Sequence, residues 1–567
     1  MIRLHNREPA LTKAADAHQT QVLIVGGGPV GMMLALFLDY FRIRSTVINI
    51  EECVRMHPKG STHNARTMEH YRRLGISGAI RRLGLPADHP TDAAYFTRLS
   101  AWEIARYRMP SERELERSRS TLHPTDQVPE PVQRANQMYV EDFLFRRMKT
   151  RSNITLRYGW QADRFSQDEA GTCLTATSHA DGRSETWRAP YLVGCDGGQS
   201  AVRRALGIRY GGHDRLEQAY LGGRMISTYL RAPKLYRDFL RRRPAWMYWV
   251  VNPELRSTLF SLNGRDEFMF WTKPKDAAAP PDEAAIRRAL YGSIGAEIPV
   301  DFLGHQPWTA GAALVAERFS DRRILLAGDS VHLFTPTGGL GMNTGIDDAA
   351  NLSWKLAAIL QGWGGRSLLE SYDIERKPIA VRNTSAARAI AKQVGALEVP
   401  PGIEDDTPAG AMLRQELGAQ VATYLDTQFA SIGVELGARY DGSPIVASER
   451  AAPTDSFLQY IPTAQPGGRA PHAWIGSTRN IGSSLFDAFG SGFTLMRLGP
   501  KPPDGADFVA AASECWIPLK VLDVPAADIR DLYDADLVLV RPDQHVAWRG
   551  GAPVDGAKAI MSRVVSS

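Results

Sequence analysis

Three groups of residues in this chain carry readable chemistry. The first is the run Gly26-Gly27-Gly28-Pro29-Val30-Gly31, a G-x-G-x-x-G pattern, with Glu51 twenty residues past its last glycine. Glycines let a backbone approach a pyrophosphate closely. A helix opening there offers free N–H groups and a positive dipole end, and a carboxylate at the position of Glu51 can accept from ribose hydroxyls. Following a strand and opening a helix, the run is a dinucleotide fingerprint. It does not by itself say which dinucleotide.

The second group is Cys195-Asp196-Gly197-Gly198-Gln199-Ser200-Ala201-Val202-Arg203, and the third is Gly328-Asp329-Ser330-Val331-His332 with the loop from Pro336 through Gly338, Gly339, Leu340, Gly341 and Met342 to Asn343. Asp329 ends an apolar strand, where a carboxylate is rarely placed without a partner. A ribityl chain supplies hydroxyls of the right kind. The glycine-rich loop leads into a helix whose N–H groups and dipole would face, and stabilise, an anionic flavin edge.

These three motifs, in this order and spacing, resemble the single-component FAD-dependent aromatic hydroxylases, the group that includes p-hydroxybenzoate and phenol hydroxylases. The resemblance covers residues 22–395. It implies an α/β fold: an FAD-binding, Rossmann-like domain of the glutathione-reductase type, interleaved with an antiparallel-sheet substrate domain. It further implies that Gly26, Gly28, Pro29, Gly31 and Glu51 hold the ADP half of FAD, and that Arg66 and Gln137 touch the cofactor. Asp196 and Arg203 would serve both FAD and the pyridine nucleotide. Gly328 and Asp329 would meet the ribityl chain, while Gly339, Gly341, Met342 and Asn343 would meet the flavin ring, with Pro336 where flavin and substrate join. Ser330-Val331 stands where that family commonly has two alanines. The implied reaction takes a hydride from NADPH or NADH, forms a flavin C4a-hydroperoxide with O2, and hydroxylates a phenolic ring. There is no second G-x-G-x-x-G unit, so the nicotinamide co-substrate would bind only transiently. The C-terminal text (residues 469–472, 485–490 and 540–549) resembles the thioredoxin-like domain of the phenol hydroxylase branch. It holds only Cys515 and so lacks a C-x-x-C redox pair.

The elements that must position these residues are legible in part. Residues 21–25 (QVLIV) predict a buried parallel strand, 31–40 a helix and 45–51 a second strand, together a βαβ unit. Further strands are expected at 191–196 and 324–329, and helices at 65–74, 138–151, 346–361 and 367–395. Strand-like text between 216 and 270 predicts an antiparallel sheet. The expected layout is an N-terminal extension to residue 20, an FAD-binding domain over 21–400 with a substrate layer at 85–130 and 210–310, and the C-terminal domain over 401–567. Residues 398–408 read as a linker. Substrate residues are the least legible. His213, Tyr220 and Arg224 are candidates for contacting the phenol and deprotonating it, although a structural role is commoner for such residues. Trp246, Tyr248 and Trp249 read as core packing before pocket lining, and His332 as a residue that holds its loop.

Composition excludes several alternatives. With 567 residues, 44% apolar and 23% charged, this is an ordinary multi-domain globular chain. A net charge of +5, from 67 basic and 62 acidic residues, gives no basis for nucleic-acid binding. Four scattered cysteines without metal spacing predict a reducing, cytoplasmic setting and no metal site. No signal peptide or membrane span is read; the expected partners are an aromatic substrate, O2 and NAD(P)H, with a homodimer possible. Competing readings are a tailoring hydroxylase of a polycyclic natural product, a flavin epoxidase or halogenase, and a non-enzymatic FAD protein. The halogenase motif W-x-W-x-I-P is absent; Trp516-Ile517-Pro518 has one tryptophan and lies in the wrong domain.

Overall fold

The computed structural model describes residues 17–118, 122–214, 216, 218, 220–274, 282–447, 453–475, 483–551 and 556–566. Its centre is a sheet ordered Ser320–Asp321, Ile324–Leu326, Tyr191–Gly194, Val22–Val25, Ser45–Asn49 and Ile154–Tyr158. All pairings are parallel except that of Ser320–Asp321. Val22–Val25 and Tyr191–Gly194 are buried throughout, as expected of parallel strands covered on both faces. Helices Pro29–Tyr40 and Leu340–Leu360 pack against each other beside this sheet. Helix Pro29–Tyr40 starts with proline in its first turn, where a missing N–H costs nothing. Strands Trp160–Gln167, Thr172–Ser178 and Ser184–Ala189, with His18–Gln19, form a second, four-stranded sheet that the residue pattern did not announce.

The antiparallel sheet expected between residues 216 and 270 has seven strands. Its order is Asp301–Ala310, Gly223–Arg231, Glu267–Thr272, Arg256–Ser261, Met247–Val251, Ala93–Phe96 and Glu103–Tyr107. It is antiparallel apart from the pairing of Met247–Val251 with Ala93–Phe96. Strand alternation divides its side chains between two cores. Met247, Trp249 and Val251 join Tyr95, Phe260 and Met269 on one face. Tyr248 and Val250 join Phe96, Leu259 and Phe270 on the other, closed by helix Glu283–Ile294.

The first face is covered by helix Glu370–Gly395 and by helix Pro408–Phe429, whose Leu417, Val421, Tyr424 and Leu425 belong to that core. This corrects the boundary expected at residue 401. The Pro-rich stretch before Pro408 is a turn in the chain, and the helix after it packs on the seven-stranded sheet. The C-terminal sheet comes later, ordered Leu519–Val524, Phe493–Leu498, Leu537–Val540 and Val546–Gly550, with helices Ala506–Glu514, Ala527–Tyr533 and Ala557–Val565.

Buried ions join the C-terminal sheet to the first domain. Arg541 donates to both carboxylate oxygens of Glu375, at 2.6 and 2.9 Å, and pairs with Asp543 at 2.6 Å. Lys355 reaches Glu375 at 2.7 Å, and the Trp354 Nε1–H donates to Asp543 at 3.1 Å. Arg376 bridges Asp347 and Asp348 beside them.

Candidate active site

A groove of about 1010 Å³ runs along the C-terminal ends of the parallel strands, where ligands of such sheets bind. Gly26–Val30 form one wall, and Asn49, Glu51, Gln137, Asp196, Asp329, Pro336, Gly339, Gly341 and Met342 also line it. The glycines divide their work. Gly26 has φ +109°, and a Cβ there would lie 2.3 Å from the Cys195 carbonyl oxygen, so only glycine lets the loop pack on the next strand. A Cβ on Gly28 would meet nothing within 4 Å, which leaves that backbone open to the groove. Asn49 Oδ1 accepts from the Gly27 N–H at 3.0 Å and fixes the loop. The Glu51 carboxylate is held by Arg55 Nε at 3.0 Å.

Asp196 caps the helix Ala201–Ala205 through Oδ2, which accepts from the N–H groups of Ala201 and Val202 at 2.7 and 3.1 Å. Its Oδ1 is buried with no partner among the described residues. The side chain of Asp329 is exposed to the groove, and dense protein behind it raises its pKa despite His332 and Lys59. Open glycine backbone at a helix start, an unsatisfied carboxylate oxygen and a desolvated carboxylate facing the same groove fit a dinucleotide with a polyol chain.

The structure moves several expected contacts away from the groove wall. Arg66 does not reach it. Its guanidinium is buried against Glu69 and Gln544, each at 2.8 Å, and the Asp543 carbonyl at 2.7 Å. The sequence could not show that the C-terminal domain claims this arginine. Arg203 also lies off the wall, donating to the carbonyls of Gly198 and Ser330 at 3.2 Å with its guanidinium 3.7 Å from the Tyr210 ring centre. Asn343 accepts from the Asn64 N–H at 3.0 Å and donates to the Thr62 carbonyl at 2.9 Å, tying two loops together. Gly31 and Gly328 act by close packing: a Cβ would meet Gly26 O at 2.1 Å and Val30 at 2.9 Å, respectively. Gln137 does line the groove and donates to Glu141 at 2.5 Å. His332 is buried and bonded to Asp348 at 2.6 Å, which holds its loop.

A second cavity of about 270 Å³ opens beside the groove, and Lys59, Gly60, Thr62, Pro336 and Gly339 line both. Its walls are aromatic: Trp246, Trp249, Trp271, Trp308, Phe260 and Phe429, with Met247 and Met269. Trp246 and Trp249 are therefore pocket walls as well as core. Polar groups interrupt this lining. Trp246 Nε1, Trp308 Nε1, Ser227 Oγ and Gln428 Oε1 are buried without hydrogen-bond partners among the described residues. Arg134 and Glu435 also line the cavity.

None of the three residues expected to touch substrate lines this cavity. His213 is exposed on the strand Tyr210–His213, at a separate groove of about 620 Å³. Tyr220 is buried behind the wall, bonded to Thr258 Oγ1 at 2.8 Å and packed edge-on to Trp249. Arg224 is half-buried on the strand Gly223–Arg231, opposite Thr309.

Comparison with known proteins agrees with this geometry. An FAD binding domain model matches residues 19–387, and an aromatic-ring hydroxylase C-terminal model matches residues 463–567. The chain belongs to the FAD-dependent aromatic-ring hydroxylases. An FAD-dependent monooxygenase of Emericella nidulans is 31% identical across 93% of this chain and 87% of its own length. A phenol 2-monooxygenase of a Pseudomonas species is 28% identical across 96% of this chain and 92% of its own. The solved structure of the rebeccamycin biosynthetic enzyme RebC with reduced flavin superimposes with TM-score 0.86 at 33% identity, covering 97% of this chain and 99% of that one. The cofactor of this hydroxylase is FAD. When bound it supplies the activation of O2, and the protein supplies position, charge and the exclusion of water. No helix among the described residues is long and apolar enough to cross a membrane.

Proposed function

We propose that this hydroxylase acts on a phenol of one or two aromatic rings, held in the tryptophan-lined cavity, at the expense of NADPH or NADH and O2. The observation that carries this reading is the wall shared by the two cavities. Pro336 and Gly339 line the FAD groove on one side and the aromatic cavity on the other, so a ring in the second faces the cofactor in the first. Size narrows the class. A buried apolar cavity of about 150 Å³ accommodates benzene, and this one measures about 270 Å³. The lining favours flat, electron-rich rings by stacking and edge contacts, and its unpartnered donors and acceptors favour a ring with polar substituents.

The order of the C-terminal strands supports reading that domain as thioredoxin-like in architecture. A parallel pair comes first, followed by two antiparallel strands, with helices between and after. Cys515 is its one cysteine, so its role is assembly through the buried ions described above.

The test is NADPH and NADH oxidation by the purified holoenzyme with a panel of one-ring, two-ring and polycyclic phenols, counting hydroxylated product and peroxide. One- and two-ring phenols are expected to accelerate oxidation with product matching nucleotide consumed. Acceleration confined to larger polycyclic phenols would overturn the size argument.

A further inference from the structure

Neither Glu435 nor Arg134 lines the FAD groove, and both line the aromatic cavity. Glu435 lies on the short helix Ile432–Leu436. Its Oε2 accepts from the Ala65 N–H at 2.9 Å, one of the free donors at the start of helix Ala65–Arg73. That bond pins the carboxylate, and among the described residues no donor occupies Oε1. Arg134 is 7% exposed. Its guanidinium lies 4.2 Å from the Trp246 ring centre, donates to the Thr62 hydroxyl, and contacts Met109 Sδ at 3.5 Å. Among the described residues it forms no ion pair. Glu435 attracts this buried guanidinium without a bond between them, so once Glu435 takes up a proton the cation needs another anion.

Resting on the assignment of this cavity to a phenol, we propose that Glu435 accepts the phenolic proton of the substrate and Arg134 holds the oxygen left behind. The phenol O–H bond breaks, and a new O–H bond forms on Glu435 Oε1. The electron pair stays on the substrate oxygen, where the ring gains nucleophilicity. The carboxylate becomes a neutral acid, and the new anion pairs with Arg134. No oxidant or reductant enters this step. The charge environment suits it. Burial raises the Glu435 pKa to about 7, against the Ala65 N–H and Arg134, which lower it, and with Glu69 adding to the rise. Burial also lowers the Arg134 pKa to about 10, so it stays a cation at neutral pH. Of the other ionisable neighbours, His57 is held neutral by burial, with a pKa of about 4, Lys59 lies at the cavity mouth, and Glu69 is paired with Arg66 and Arg469.

The experiment uses the FAD-loaded enzyme with two probes of matched size: 2-naphthol, which has a proton to give, and 2-methoxynaphthalene, which has none. Binding is read from quenching of tryptophan fluorescence and ionisation from the naphtholate absorption band. Affinity for 2-naphthol should rise about tenfold from pH ~6 to pH ~8 as Glu435 ionises, with the naphtholate band in the bound form. Affinity for 2-methoxynaphthalene should stay flat. Glu435→Gln should keep FAD, lose the rise and lose the band; Arg134→Gln should move the band to higher pH. A Glu435→Gln protein with the wild-type profile, or equal profiles for the two probes on the wild-type enzyme, would overturn the proposal. The second comparison needs no variant to fold. Failure of both probes to bind would overturn the assignment of the cavity as well. Binding of 2-naphthol without ionisation would remove only the role given to Glu435.

Discussion

Glu375→Gln tests whether the buried ions hold the two ends of the chain together. Glu375 accepts from Arg541, Lys355, Asn351 and Ser443, all at 2.6–2.9 Å. Burial alone would raise its pKa, but Arg541 and Lys355 outweigh burial and hold it at about 2, against an ordinary 4.5. At about 1.4 kcal/mol per tenfold change in proton affinity, that displacement is worth about 3 kcal/mol. Breaking a buried pair by removing one partner costs about 3–5 kcal/mol, which agrees. Because the folded pKa is depressed, the contribution is fully present above pH ~4.5 and is lost as pH falls towards ~2. Lys355 moderates the outcome. Burial already lowers its pKa to about 8 with Glu375 in place, so without that partner it can fold as the neutral amine. Urea unfolding of the holoenzyme at pH ~7, followed by tryptophan fluorescence, should show Glu375→Gln less stable by about 3 kcal/mol. The wild type should lose stability between pH ~4.5 and pH ~2 more steeply than the variant. A loss below about 1 kcal/mol, the range of exposed pairs, or an unchanged acid profile, would refute the reasoning.

Three further outcomes follow from the groove and the domain contact. Asp329→Ala should purify pale, with FAD affinity about 10- to 100-fold weaker from the loss of a charge-assisted bond. The apoprotein should unfold no earlier than wild type, since that exposed carboxylate has no partner among the described residues; full FAD occupancy would remove Asp329 from the ribityl role. Gly26→Ala meets both a left-handed φ and the Cys195 carbonyl. It should cost about 3 kcal/mol or more, read as loss of soluble, FAD-loaded protein, and a normal yield would show that the loop can shift. Deleting residues 463–567 leaves Arg66, Glu69 and Glu375 without Gln544, Arg469 and Arg541, respectively. The truncated protein is expected to be insoluble, and a soluble, FAD-loaded product would show that these ions are dispensable for folding.

The parallel-sheet half of this fold was legible because its signals are local. Strand, glycine turn and helix lie within about thirty residues, and each turn needs a residue type that nothing else replaces. The FAD groove inherits that legibility, since its walls are the ends of those strands. The expected contacts that lie off its wall share one cause. Arg66, Arg203 and Asn343 sit in or beside recognisable motifs, but their polar ends are taken by loops distant in sequence, and a motif does not show which of its side chains turns inward. The four-stranded sheet at 160–189 went unread because one face of it is solvated and its alternation is broken by polar residues on both sides. Residues 408–429 were placed with the C-terminal domain because a Pro-Gly-Asp-rich stretch reads as a linker whatever follows it.

The aromatic cavity was illegible for a stronger reason. Its wall draws Lys59 and Thr62 from the first domain, Arg134 from the strand Gln133–Arg134, Trp246 to Trp271 from one sheet, Trp308 from an edge strand, and Gln428 and Glu435 from beyond the supposed linker. Apart from Gln306 and Trp308, two residues apart on the strand Asp301–Ala310, its polar groups come from segments distant in sequence, so no spacing predicts their meeting. Tryptophan in a strand satisfies the packing pattern equally well on either face, and only the register decides which ring meets the cofactor side. Trp249 and Tyr248 are neighbours in sequence, yet Trp249 lines the cavity while Tyr248 faces the opposite core. The wall closes only when helices Pro408–Phe429 and Ile432–Leu436 dock. Helix Ile432–Leu436 packs directly on helix Ala65–Arg73, the element that carries Arg66 and Glu69 into the C-terminal contact. The same short helix thus brings Glu435 to the cavity beside the groove and presses on the element that anchors the last domain. If the cavity holds the phenol, a substitution that loosens the C-terminal contact should change phenol affinity, read by tryptophan fluorescence, before it changes FAD occupancy, and an unchanged phenol affinity would separate the two.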